Sequence, residues 1–268
     1  MTLQDELREL RAAWERRPLI RRLYAQWFEL VEHALSRVEG PTVELGSGFG
    51  ALKDALPQVL TTDVEPTPWA EQVVDAEQLP FDDRSVANLV LVDVFHHLAS
   101  PARFLDEATR VLAPGGRVVV LDPYISPVSR LAYSFHHERV DLQADAFASD
   151  DRVAGAPMAS NQGRATLAFF RGADELARRW PALRIVERRR LSLLVYPLSG
   201  GFRQRPLLPV RLARPAELLE RALAPAARLL AFRCLVVLER EQRPLAPAGS
   251  EPERDERLGR DVDAKRDA

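Results

Sequence analysis

Apolar side chains recur at helical spacing from Leu3 to Leu35, through Leu7, Leu10, Trp14, Leu19, Leu23, Trp27, Leu30 and Val31, with a break near Pro18. That period predicts two helices before residue 40. After Pro41 the rhythm changes to short β-branched and apolar runs. TVELG at 42–46, VLTTDV at 59–64, a short run ending at Asp75, NLVLV at 88–92 and RVVVLD at 117–122 read as strands. Residues 51–56 and 101–112 carry helical spacing between them. Ser100 supplies an N-cap hydroxyl, Pro101 takes the first helical position, and Pro114-Gly115-Gly116 stops the second of these helices. Apolar strands that alternate with helices on short connections predict an α/β fold, a parallel sheet covered on both faces.

Beyond Pro123 the pattern loosens. Residues 124–170 mix aromatics, histidines and a polar loop, which suits a substrate-facing insertion. Helical spacing returns at 173–180 and strands at 185–196 and 232–238; between those strands lies a Pro- and Arg-rich stretch with an amphipathic helix at about 215–223. The expected organisation is a helical cap at 1–40, one α/β domain at 41–240 with insertions at about 124–170 and 200–230, and a disordered charged tail at 241–268.

Composition narrows the class. The 46% hydrophobic and 28% charged residues suit a soluble globular chain, and a net charge of −2 argues against a dedicated nucleic-acid binder. Cys234 stands alone, so no internal disulfide forms. The opening MTLQDELREL lacks the apolar core of a signal peptide, and no uncharged run is long enough to span a bilayer. A cytoplasmic protein acting on a small molecule is expected. No feature of the chain sets an oligomeric state.

Candidate chemistry concentrates in VELGSGFG at 43–50. Glycines at a strand-to-helix turn permit positive φ and let the backbone approach a ligand that a Cβ would strike. The spacing is ExGxGxG, where dinucleotide sites usually carry GxGxxG. A carboxylate at Glu44 would oppose a pyrophosphate but suits a cation such as the ammonium of an amino acid.

VELGSGFG resembles motif I of the class I S-adenosylmethionine (SAM) dependent methyltransferases. The likeness continues through Asp63, through DAEQLPF at 75–81, and through DVFHHLASPARFLDEATRVLAPGGRVVVLDPY at 93–124. It implies a Rossmann-like class I methyltransferase fold with a seven-stranded, mostly parallel sheet whose last strand is antiparallel. It also implies a SAM site formed by Glu44, Gly46, Ser47, Gly48 and Gly50 in the turn, by Asp63 on the ribose hydroxyls with Val64 beside it, by Asp75 and Ala76 at the adenine, and by Asp93. DAEQLPF and HHL look closest to a subgroup of small-molecule C- and O-methyltransferases. Two rivals stand beside this reading: a methyltransferase-like binding or regulatory protein without turnover, and an NAD-dependent oxidoreductase, against which the missing GxGxxG counts.

Methyl transfer from a sulfonium leaves a neutral leaving group, so alignment, exclusion of water and deprotonation of the acceptor are the main tasks. Four of the five histidines fall in two pairs, His96-His97 and His136-His137. His136, His137 and His97 are the candidate bases, with helix-start packing the plainer role for the first pair. The pairs with Glu138 could gather on a metal ion, but neighbouring positions on a helix face apart and no metal is expected. FRQRPLLPVRLAR at 202–214 and the helix after it either pack on the body or serve as a lid, hinged at Gly200-Gly201, for an apolar acceptor or as a weak contact with an anionic membrane surface.

Overall fold

The computed structural model describes residues 3–134, 139–150 and 159–242. Seven strands form one sheet: β1 Thr42–Leu45, β2 Leu60–Asp63, β3 Gln72–Val73, β4 Val86–Val92, β5 Leu112–Pro123, β6 Leu183–Leu191 and β7 Arg233–Arg240. Their order across the sheet is β3-β2-β1-β4-β5-β7-β6. The first five strands pair in parallel, and β7 enters antiparallel between β5 and β6.

Side chains alternate between two cores, as the pleat requires. Leu89, Leu91, Val118 and Val120 face a core shared with Phe104, Leu105 and Ala108 of helix α4, Pro101–Val111. Val90, Val119 and Leu121 face the opposite core, built with Leu19, Leu23, Trp27 and Val31 of α2, Pro18–Ala34, and with Leu52 of α3, Ala51–Ala55. α2 therefore covers this face together with α3. Helix α1, Leu3–Arg16, lies ahead of it.

The remaining helices are α5 Pro127–Tyr133, α6 Arg164–Thr166, α7 Ala173–Arg179, α8 Val195–Leu198, α9 Ala213–Ala222 and α10 Ala227–Leu230. Among the described residues no helix is long and apolar enough to cross a membrane.

Local expectations hold where chemistry is explicit. The Ser100 hydroxyl accepts from the Arg103 N–H, and Pro101 opens α4. Arg110 near the end of α4 donates to the carbonyls of Leu79 at 2.8 Å and Phe81 at 2.7 Å, while Glu107 accepts from the Leu79 N–H at 2.7 Å. This clamp explains why DAEQLPF and the EATRVL stretch occur together: the helix holds the loop.

Two expectations need correction. Pro114-Gly115-Gly116 does not precede the fifth strand but bulges within it, since Leu112 pairs with Val86 and Arg117 with Asn88. The strand expected over 185–196 ends at Leu191, where Ser192 takes φ 62° and the chain turns into α8. Helix α9 packs on the body through Ala213 and Ala216, while Leu218 and Leu219 are 64% and 53% exposed. The expected tail at 241–268 lies, apart from Glu241 and Gln242, outside the described residues.

Candidate active site

At the carboxyl ends of β1, β2 and β4 opens a cavity of about 930 Å³. Its position at the strand switch point is where open α/β sheets bind ligands. Backbone bonds set the rim: the Ser47 N–H donates to Thr62 O at 2.8 Å, and the Asp93 N–H to Leu121 O at 2.9 Å.

The glycine turn meets the geometric expectation. Gly46, Gly48 and Gly50 have φ of 68°, 53° and 76°. A Cβ on Gly46 would lie 2.6 Å from Val94 Cγ2, so a side chain there collides as well as strains. A Cβ on Gly48 would meet only Leu7 Cδ2, at 3.7 Å, because that turn faces the cavity.

Glu44 and Asp63 flank this turn. Glu44 is 3% exposed and lines the cavity; its Oε2 and the Ser47 hydroxyl have no hydrogen-bond partner among the described residues. Burial, with the charge of Asp63 nearby and Lys53 opposing, pushes the Glu44 carboxyl up to about 8. Such a group lacks a cation, which the ammonium of an aminoacyl chain would provide. Asp63 accepts from the Gly48 N–H at 3.0 Å, and burial raises its pKa against that hydrogen bond. The donor set fits SAM: orphaned carboxylate and hydroxyl at one end, a strand-tip carboxylate beside the bare turn, and the clamped loop at the other.

That loop brings Asp75 and Ala76 to the wall, with Val64 beside them. Asp75 also caps its own turn, accepting from the Glu77 N–H at 2.8 Å. Glu77 lines the wall too and accepts from the Ser100 N–H at 2.5 Å. Asp93 reaches the cavity from a residue at φ 59°, but its carboxylate is engaged by Arg233 at 2.5 Å and by the Tyr24 hydroxyl at 2.8 Å. Burial would raise its pKa, yet the Arg233 charge and these hydrogen bonds hold it below the usual value.

The histidines divide. His97 sits in a tight turn, Phe95–His97, with Nδ1 2.9 Å from Ala159 O; burial and the neighbouring His96 push its pKa down to about 3, so it stays neutral. His96 lies with Nδ1 2.9 Å from Asp122 Oδ1, and both are buried. Burial raises the Asp122 pKa and His96 draws it back. His96 lines the cavity. His136, His137 and Glu138 lie outside the described residues.

Aromatic rings of Tyr24, Phe28, Tyr133, Tyr196, Phe202 and Phe232 also line the cavity, with the Phe202 ring 5.7 Å from that of Phe49 in the glycine turn. Leu3, Leu7 and Leu10 of α1 close it over the glycine turn. Neither Arg233 nor Asp122 had a signal in the sequence beyond its place at a strand end, because each works through a partner far along the chain. Gly200 and Gly201 form a tight turn tied to Arg17, which donates to Gly201 O at 2.6 Å and Gln204 O at 2.5 Å.

Residues 43–120 match the family described as "Methyltransferase domain". An uncharacterized methyltransferase of Mycobacterium tuberculosis is 32% identical over 104 residues, 34% of this chain and 42% of that protein. A demethylmenaquinone methyltransferase of Clavibacter sepedonicus is 41% identical over 54 residues, 20% of this chain and 22% of its own length. The chain thus spans less than half the length of these curated relatives. Among solved structures, geranyl diphosphate C-methyltransferase from Streptomyces coelicolor, crystallised with S-adenosyl-L-homocysteine, shares the fold at a TM-score of 0.50 and 14% identity over 82% of this chain and 77% of that one. Taken with the strand order and the bare turn between β1 and α3, these matches show that residues 43–120 are similar to the methyltransferase domain family and that the sheet has the fold of a SAM-dependent methyltransferase.

Proposed function

We propose that the protein transfers the methyl group of SAM to a small, largely apolar acceptor. The observation that carries this reading is the joining, in one cavity of about 930 Å³, of Glu44, the turn at 46–49 and Asp63 with an aromatic chamber beside them. Small-molecule sites run from roughly 300 to 1,000 Å³, so this volume has room for a nucleotide cofactor and a second molecule.

The bound cofactor would supply a methyl carbon made electrophilic by its sulfonium. Glu44, ionised when a cation lies against it, would orient the ammonium, and Asp63 would accept from the ribose hydroxyls. Leu3, Leu7 and Leu10 line the cavity over the glycine turn and would exclude water from the bound cofactor. The lone-pair nitrogen for an acceptor O–H or N–H is assigned to His96: its Nδ1–H donates to Asp122, which fixes the ring and leaves the lone pair at Nε2 to accept the proton. His97, held neutral by burial, is assigned to the wall. His136 and His137 remain proposed bases from the sequence. Buried Cys234 suits a reducing compartment, and we place the protein in the cytoplasm.

Equilibrium binding of SAM and of its demethylated product tests the cofactor assignment; binding of neither overturns it. Incubation with methyl-labelled SAM and cell extract tests the acceptor. Label in a small-molecule fraction supports the assignment, and label confined to protein or nucleic acid overturns it.

A further inference from the structure

We infer that the segment 203–230, with the outer side of α5, is a docking surface for an anionic lipid bilayer. Between Arg203 and Arg228 stand six arginines and two glutamates. Both glutamates turn inward. Glu217 takes both guanidinium contacts of Arg22, at 2.6 and 2.7 Å, and Glu220 accepts from the N–H groups of Leu194 and Val195 at 3.0 and 2.7 Å.

At about 100° per residue, Ala213, Ala216, Glu217 and Glu220 form the inner arc of α9, and Arg214, Leu218, Leu219 and Arg221 project from the opposite side. The usual arrangement of a surface helix is inverted: carboxylates face the protein, and leucines with arginines face out. The same mixture extends over Leu207, 75% exposed, and Leu229, 57% exposed. Helix α10 packs on α5, where Leu131 is 67% exposed beside Arg130. Among the described residues Arg205, Arg211, Arg214, Arg221 and Arg228 make no salt bridge, unlike Arg203, which pairs with Glu6.

Charge decides the occupant. A partner protein or a second copy would have to meet five guanidinium groups outside any salt bridge, set among leucines, whereas an anionic headgroup layer over acyl chains matches both chemistries at once: leucines enter the boundary and arginines reach phosphates. The surface adjoins the cavity, since Ala132 next to Leu131, and Arg203 and Gln204 at the start of the segment, line its wall. This surface does not depend on the cofactor assignment, and vesicle binding reads it without SAM.

Co-sedimentation of the full chain with phosphatidylcholine vesicles, alone or with about 30 mol% phosphatidylglycerol, reads the surface directly. Binding is expected only with the anionic lipid, and is expected to fall about fivefold or more in about 0.5 M salt. Two double variants, Leu218→Asp with Leu219→Asp, and Arg214→Glu with Arg221→Glu, should each lose about tenfold in vesicle affinity. Their thermal unfolding and SAM binding should match the parent, because none of these side chains packs inward. No preference for anionic vesicles overturns the proposal, as does binding unchanged in both variants. So does a dimer in solution that the leucine variant converts to monomer, which would assign the face to a second copy.

Discussion

His96 and Asp122, 26 positions apart, meet at 2.9 Å in the buried floor of the cavity, one from the turn after β4 and the other from the end of β5. If this pair positions a base, Asp122→Asn should keep the shape, reverse the preferred tautomer, and lower the methylation rate by about 10²–10⁴-fold. SAM affinity should change little. Single-turnover kinetics with labelled SAM check the rate and calorimetry the affinity; equal loss of both would make the pair a structural element only.

Glu44 ties cofactor binding to pH. Its carboxyl is raised to about 8 in the folded protein, above its ordinary 4.5, so the stability it favours is fully present below about 4.5 and lost as pH rises through about 8. The unliganded protein should melt at lower temperature at pH 9 than at pH 6, and Glu44→Gln should flatten that difference. Cofactor binding should favour the ionised form, tightening as pH rises toward 8 and releasing close to one proton at pH 7. Titration calorimetry in buffers of different ionisation enthalpy measures the release; none would mean that no cation rests on Glu44.

Gly46 and Gly48 should respond differently to alanine. Both need positive φ, which costs an alanine about 1–2 kcal/mol. Only at Gly46 does the new Cβ also strike a packed side chain, Val94. Thermal melts should therefore rank Gly46→Ala below Gly48→Ala in stability, while SAM titration should show affinity lost in both.

Removing the clamp at Arg110 should act at a distance. Arg110→Ala frees the carbonyls of Leu79 and Phe81 and the carboxylates of Glu107 and Asp83, at a cost of about 1–3 kcal/mol given the partial exposure of these groups. The loop carrying Asp75 and Ala76 should loosen, so SAM affinity should fall without a change in the rate of bound complex. Chemical denaturation and SAM titration together test this; a stability loss with affinity intact would separate the clamp from the site.

How far the sequence showed this arrangement depends on the range of each interaction. Strands β1, β2, β4 and β5 and the cap at Ser100 were legible because apolar runs and a hydroxyl before proline act locally. The turn at 46–50 was legible because only a backbone needing positive φ spaces glycines so. The end of β6 was not: LSLLVY carries strand propensity, but β7 supplies partners only as far as Arg233 opposite Leu191. The outward leucines of α9 were also hidden, since an amphipathic period states that a face exists and not which side meets the body. His96 was undervalued for a related reason. Nothing near it in the chain reveals Asp122 as its neighbour.

Arg233 links both ends of the molecule. It begins β7, pairs with Asp93 at the tip of β4, and stacks 5.0 Å above the ring of Trp27 in α2. During synthesis the amino-terminal roof and the Asp93 corner exist long before this guanidinium leaves the ribosome, and until it arrives Asp93 lacks its ion-pair partner. Completion of the ligand chamber is thus a late event, keyed by the final strand, and nascent chains stopped short of residue 233 should emerge unable to retain a nucleotide.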